Sequence, residues 1–157
     1  ESRDTMGSDL VVGPAAYLAI HAPPLIIIDM GTATTMTVID REARVLGGAI
    51  IPGVGISLEA LASGTSQLPH ISLDAPKKCI STDTIEAMRS GSVYGTAAML
   101  DGMIERMEAE LGEPAAVIAT GGLGGCIIPY CRREITYDKN LLLNGLWALY
   151  QKNKRKR

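Results

Sequence analysis

Residues 29–35 (Asp29-Met30-Gly31-Thr32-Ala33-Thr34-Thr35) gather a carboxylate, a glycine and three hydroxyls into seven positions. The continuous apolar run 25–28 precedes them. Asp29 therefore stands where a buried strand ends, and open α/β sheets bind ligands outside the carboxyl ends of their strands. A carboxylate there can hold a cation, directly or through water. Gly31 permits a tight turn whose backbone N–H groups approach phosphate. The same residues also read as a plain β-turn, with Asp29 bonded into its own loop and the threonines serving strand propensity. Residues 120–125 (Thr120-Gly121-Gly122-Leu123-Gly124-Gly125) form a second glycine turn. It is not G-x-G-x-x-G, because Ile127 occupies the third glycine position, and no G-x-x-x-x-G-K-[ST] occurs in the chain. These glycines either let a flat adenine lie against the backbone or simply make a tight turn. Asp9 is a candidate general base for a hydroxyl nucleophile and equally a helix cap. Thr84, at the start of a predicted helix, either offers its hydroxyl and free N–H groups to a polar ligand or caps the helix.

The elements that must hold these residues follow from pattern. Residues 7–20 read as a loop and short helix, stopped by Pro23-Pro24. Strands are expected over 25–30, 35–40 and 44–51, joined as a meander, the first covered on both faces. A helix over 55–63 leads to an irregular stretch ending near 82. The longest helix is expected over 84–111, with Asp83 as N-cap, Glu86 at N3, and Gly112 and Pro114 at its stop. Leu100, Met103, Ile104, Met107 and Leu111 mark its inner face. Gly91 and Gly95, four apart on one face, predict a close backbone approach or a kink. A strand over 115–120, a helix over 123–132, a short strand over 134–137 and a helix over 140–151 complete the order β-β-β-α-α-β-α-β-α. In the last helix, Leu142, Leu146 and Leu149, or Leu143 and Trp147, are expected to face inward. That order indicates a mixed α/β sheet.

Composition narrows the function classes. A chain of 157 residues with 46% hydrophobic and 20% charged residues fits one globular domain. The net charge is −2, but the last six residues, KNKRKR, hold five of the fifteen basic side chains. The body is acidic, which argues against nucleic acid as a partner, and the basic end reads as a solvated, frayed tail. The three cysteines, Cys79, Cys126 and Cys131, are odd in number and have no histidine nearby. They read as free thiols of a reducing cytoplasm rather than a disulfide framework or a metal site. No apolar run approaches the ~18 residues of a membrane span, so no membrane partner is expected. The chain opens on Glu1 rather than Met, so the expectation is a fragment or a processed product.

Taken with GGAIIPG (47–53), SQLP (66–69), the Asp83-Thr84 helix start, SGSVYG (90–95), ATGG (119–122) and LLLNGL (141–146), the segment DMGTATT closely resembles the type III pantothenate kinase (Bvg accessory factor-like) family. The motifs run in order from about Gly7 to Asn153. The resemblance implies a ribonuclease H-like α/β fold of the actin/hexokinase/heat-shock-70 ATPase superfamily. Residues 1–22 would end a first domain or join two domains, 23–153 would form the second ribonuclease H-like domain, and 154–157 a basic tail. The implied activity is transfer of the γ-phosphate of ATP to the primary hydroxyl of pantothenate, the first step of coenzyme A synthesis. Mg²⁺ and a monovalent cation, K⁺ or ammonium, are the implied cofactors, and the implied assembly is a cytoplasmic homodimer. Asp9 falls on the family's catalytic base. Gly7, Ser8 and Leu10 fall within its Gly-x-Asp-Arg substrate motif. Asp29 falls on the monovalent-cation ligand, Thr32 on an ATP-contacting threonine, Thr84 on a pantothenate-contacting threonine, and Gly121 and Gly122 on the adenosine motif.

Three departures stand out. Leu10 replaces an arginine that pairs with the substrate carboxylate, and loss of such a contact weakens binding by about 1.5–3 kcal/mol. Ser81-Thr82-Asp83 replaces Gly-Lys-Asn before Thr84, which sets a carboxylate beside an anionic substrate. The family's N-terminal Asp-x-Gly-Asn-Thr phosphate loop and the domain that bears it have no counterpart in these residues. The expectation is the C-terminal half of a kinase, inactive as the isolated chain. The alternative is a degenerate, non-catalytic nucleotide-binding or regulatory homologue.

Overall fold

A computed structural model describes residues 9–155, with only the backbone described at 9–12. Helix α1 (Asp9–Leu18) leads into three strands, β1 (Leu25–Met30), β2 (Ala33–Ile39) and β3 (Val45–Pro52). Helices α2 (Val54–Ser63) and α3 (Thr84–Leu111) follow, then β4 (Ala116–Thr120). A short helix α4 (Gly124–Ile127) runs into a 3₁₀ turn (Ile128–Tyr130), and β5 (Thr136–Tyr137) and α5 (Leu141–Lys154) complete the chain. The expected order of elements holds throughout. The largest differences are the predicted helix over 123–132, which breaks into two short turns at Pro129, and the shorter β5. The last helix runs on through Lys152 and Lys154, which complement its dipole; Arg155 follows it, and Lys156 and Arg157 of the expected frayed tail lie outside the described residues.

The five strands lie in the order β3-β2-β1-β4-β5. β1 pairs antiparallel with β2 and parallel with β4, so the sheet is mixed. Its centre is β1, where Leu25, Ile26, Ile27 and Ile28 are all buried. Alternate residues feed two cores. On one face Ile26, Ile28, Met36 and Val38 meet Val93, Ala97, Leu100 and Ile104 of α3. On the other, Leu25, Ile27, Ile39 and Ile118 meet Tyr17 of α1 and Leu141 of α5.

Helix α3 begins and ends where its sequence says. The Asp83 carboxylate accepts the Glu86 N–H at 2.9 Å, and Gly112 closes the helix in the left-handed region at φ 79°. Of the two alternatives for the midhelix glycines, a close backbone approach is not seen among the described residues: a Cβ at Gly91 or Gly95 would meet nothing within 4 Å. The close approach comes instead at Gly145 of α5, where a Cβ would overlap the Ala16 carbonyl of α1. That crossing turns the Leu141–Gly145 edge of α5 inward. Leu142, Leu143, Leu146 and Trp147, expected to face the core, are exposed instead.

Candidate functional site

The carboxyl ends of β1 and β4 lie side by side, because the two strands are parallel and in register from Leu25–Ala116 to Asp29–Thr120. The chain turns sharply beyond each. After β1, the turn at Gly31–Thr32 enters β2, with the Gly31 N–H donating to the Ala33 carbonyl at 3.2 Å. After β4, Gly121 adopts φ 100°, a conformation that disfavours a side chain, and a Cβ there would strike the Met30 backbone. A third element closes in from β3, where a Cβ on Gly53 would overlap the Thr32 carbonyl. The turn bearing Thr32, the Gly121-Gly122 turn and the start of α2 are thus brought together at one edge of the sheet.

Asp29 sits on that edge, on the sheet face that carries α1 and α5. Register places Thr35 of β2 on one side of it and Thr120 of β4 on the other. The row Thr35–Asp29–Thr120 offers one carboxylate flanked by two hydroxyls. Thr120 is 7% exposed and its hydroxyl donates weakly to the Lys139 carbonyl at 3.5 Å. Asp29 remains open to solvent, yet partial burial raises its carboxyl above the usual carboxylate range. Burial also raises the Tyr17 phenol, and the Asp29 charge raises it further. Among the described residues no side-chain hydrogen bond or ion pair offsets the desolvation of Asp29. A cation bound there would relieve it.

The donor set limits which cation fits. Among the described residues no three His, Cys, Asp or Glu side chains converge as metal ligands. One carboxylate with neighbouring hydroxyls and carbonyls suits a weakly held monovalent ion. A divalent ion such as Mg²⁺ would rely on phosphate oxygens for much of its coordination.

Thr32 is exposed at the tip of its turn. Gly122 also faces open space, since a Cβ there would meet nothing within 4 Å. The two expected nucleotide-contact glycines therefore differ. Gly121 is demanded by the β1–β4 packing, whereas Gly122 leaves room for a ligand. Tyr137 completes this turn. Its hydroxyl donates to the Gly121 carbonyl at 2.7 Å, and its ring fills the space a Cβ on Gly124 would need. Sequence reasoning missed Tyr137. Its only signal was an aromatic residue in the short strand following a glycine turn.

Thr84 lies apart from this edge but is linked to it. A cleft of about 640 Å³ opens between α2 and α3, and Val54, Ser57, Leu68, Thr84, Met88 and Gly91 are among its lining residues. The cleft starts at Val54, next to the Gly53 that packs on Thr32. Thr84 is exposed at the head of α3, beside the Asp83 carboxylate already engaged as a cap. A clasp that sequence did not reveal holds the loop before α3. Arg89 donates to Glu86 at 2.9 Å and to Asp74 at 3.2 Å, and Glu86 accepts the Lys77 N–H at 3.1 Å. The Lys77 N–H first and Arg89 second hold the Glu86 carboxyl below its ordinary range. These bonds tie the loop before α3 to the first turns of that helix.

Gly7 and Ser8 lie outside the described residues, as do the side chains of Asp9 and Leu10. Asp9 and Leu10 open α1. The three cysteines are unpaired, with Cys79 and Cys126 exposed. Burial, then the Asp101 charge, pushes the Cys131 thiol up to about 11, so it is not a nucleophile near neutral pH. Among the described residues no helix is long and apolar enough to cross a membrane.

Comparison with known proteins gives a consistent picture. A family model described as Type III pantothenate kinase matches residues 1–106. The type III pantothenate kinase of an Exiguobacterium species is 43% identical over 155 residues, covering 99% of this chain and 61% of its own length. That of Rhodospirillum rubrum is 40% identical over 153 residues, covering 98% of this chain and 60% of its own. The chain thus spans about three-fifths of these relatives, matching their C-terminal part. Among solved structures, a Baf family protein from Campylobacter jejuni superposes with a TM-score of 0.63 at 23% identity, covering 99% of this chain and 68% of that one. An activator of 2-hydroxyisocaproyl-CoA dehydratase from Clostridium difficile, with ADPNP bound, gives 0.50 at 14% identity over 99% of this chain and 71% of that one. The fold is that of the actin/hexokinase/heat-shock-70 ATPases, as expected.

Proposed function

The chain belongs to the type III pantothenate kinase family, and from that premise we propose that it is the second half of an ATP-dependent pantothenate kinase acting at the entry to coenzyme A synthesis. The single observation that carries the reading is the sheet edge where Asp29, Thr32, Gly121 and Gly122 converge beside the cleft that holds Thr84. Residues 23–153 form the second ribonuclease H-like domain, and residues 1–22 lead in from a first domain that completes the ATP site.

Phosphoryl transfer asks mainly for positioning and charge neutralisation. The exposed Thr32 hydroxyl faces the phosphates, and the open backbone at Gly122 faces the adenosine. Asp29, flanked by Thr35 and Thr120, would hold K⁺ or ammonium, which would offset the desolvation of the carboxylate. Mg²⁺ carried with ATP would supply neutralisation of the phosphate oxygens. Pantothenate lies in the α2–α3 cleft with Thr84 against its polar atoms. An alkanol does not ionise near neutral pH, so a carboxylate must accept its proton as phosphorus is attacked. Asp9 is that base. Leu10 leaves the substrate carboxylate without the family's arginine, so affinity for pantothenate is low unless another cation serves. The proposed setting is a cytoplasmic homodimer.

Amide chemical-shift mapping on the isotopically labelled chain tests the assignment of the two subsites. Mg-ATP is expected to shift the amides of residues 31–32 and 121–122, and pantothenate those around Thr84. Nucleotide-induced shifts confined to other surfaces would overturn it. In a protein joined to a relative's N-terminal part, Leu10→Arg is expected to lower the KM for pantothenate by about tenfold or more, the worth of one charge-assisted contact.

A further inference from the structure

Strand β5 is two residues long, yet it brings one side chain against the glycine turn that follows β4. Tyr137 pairs with Ala119 of β4, and the next residue fastens the pair, with the Asp138 N–H donating to the Ala119 carbonyl at 2.9 Å. The half-buried Tyr137 ring lies beneath the first turn of α4. A Cβ on Gly124 would overlap that ring, so only glycine lets the two meet. The Tyr137 hydroxyl donates to the Gly121 carbonyl at 2.7 Å, and the Gly124 N–H donates to the same oxygen at 3.2 Å. Both acceptor positions of that oxygen are then taken. The Gly121–Gly122 peptide is trans, so the Gly121 C=O and the Gly122 N–H point in opposite directions. The Gly122 N–H is therefore turned away from Tyr137 and α4. Among the described residues no hydrogen bond takes it up, and a Cβ on Gly122 would meet nothing within 4 Å.

We propose that Tyr137 is a positioning residue for the nucleotide: by holding the Gly121 carbonyl, it aims the Gly122 N–H at an acceptor oxygen of the bound nucleotide. The inference rests on the reading of this turn as the adenosine side of a kinase site. A donor fixed before the ligand arrives lowers the ordering cost of binding. Without the phenol hydroxyl, the Gly121 carbonyl keeps only its longer bond to Gly124. Gly121 already sits at φ 100°, where glycine alone moves freely, so the peptide plane can then turn and carry the Gly122 N–H out of line. The ring fills space under Gly124 but bonds to no atom of that plane. The role therefore belongs to the hydroxyl, and Tyr137→Phe separates it from packing.

The test follows the amides of the isotopically labelled full chain, as parent and as Tyr137→Phe, titrated with Mg-ATP and separately with adenosine. In the free variant, Gly122 is expected to show microsecond-to-millisecond exchange broadening that the parent lacks. The Asp138 amide is expected to keep its protection from hydrogen exchange, because β5 stays paired. Mg-ATP is expected to bind the variant about three- to tenfold more weakly, the worth of one hydrogen bond, and to move the Gly122 amide less. An equal loss for adenosine puts the acceptor on the ribose, and a loss confined to Mg-ATP puts it on a phosphate; either supports the proposal. A variant that binds Mg-ATP as tightly as the parent, with the same Gly122 shift, overturns it and leaves the nucleotide reading intact. Weaker binding with the Asp138 amide unprotected also overturns it, since Tyr137 would then only brace β5. A parent in which residues 121–122 do not respond to Mg-ATP removes the nucleotide reading itself, and the positioning role with it.

Discussion

The two faces of the sheet are finished to different degrees. Under α3 the core is complete: Val93, Ala97, Leu100 and Ile104 are at most 1% exposed and seal Ile26, Ile28 and Met36. Under α1 and α5 the core is smaller, the row Thr35–Asp29–Thr120 runs along its edge, and the covering helix turns its largest side chains to solvent. The difference separates what this chain needs for its own folding from what it offers to something else. A face that folds the domain hides its apolar groups and excludes charge. A face that binds keeps a desolvated carboxylate and an apolar helix surface at hand.

Substitutions on the two faces should therefore differ in size and in kind. The largest effect is expected at Leu100→Ala, which empties the sealed side and should cost about 2–5 kcal/mol in denaturant unfolding. Next comes Gly121→Ala at the junction of β1 and β4. It forces a side chain into φ 100° against the Met30 backbone and should cost about 1–3 kcal/mol. Gly122→Ala, one residue away in open space, should change stability by no more than about 0.5 kcal/mol and act on nucleotide binding alone. A comparable loss of stability at Gly122 would break the distinction drawn between the two glycines. Trp147→Ser removes the largest side chain of α5 and should still leave stability within about 0.5 kcal/mol, because the ring is already in water.

The smallest effect is expected at Asp29→Asn, and its pH dependence carries the information. The folded carboxyl titrates above its unfolded value. Asp29 therefore costs nothing at a pH below both values and becomes unfavourable as pH rises through the unfolded and then the folded value. Asn at this position should match the parent stability in acid and exceed it slightly near neutral pH, by no more than about 0.5 kcal/mol at this exposed site. It should also abolish any stabilisation by K⁺. A variant that is less stable at neutral pH would show that Asp29 has a structural partner.

Most of the fold was legible because the patterns were local. The four-residue apolar run of β1, the Asp83 cap and the Gly112 stop each carry their own physical signal, and α3 begins and ends at the residues they name. What failed depended on neighbours distant in sequence. The inward side of α5 could not be read from its leucines, since the choice was made by Gly145 meeting Ala16 across the fold. Gly91 and Gly95 looked like contact points, and among the described residues a Cβ at either would meet open space. Asp29, Thr32, Gly121 and Gly122, picked out at strand ends, do lie together at one end of the sheet. Thr35 and Thr120 as flanking hydroxyls needed the strand register, and Tyr137 needed the parallel pairing of β4 with β5.

The central proposal is that this chain is one half of a pantothenate kinase, with its cation and nucleotide groups at the carboxyl ends of β1 and β4 and its substrate cleft between α2 and α3. Its most direct test is ATP-dependent phosphorylation of pantothenate, followed by formation of the phosphorylated product. The chain alone should give none. The chain joined to the Exiguobacterium relative's N-terminal part should give product, and Asp9→Asn in that protein should remove it. Turnover by the 157-residue chain alone, or a folded joined protein that binds both ATP and pantothenate without forming product, would contradict the account.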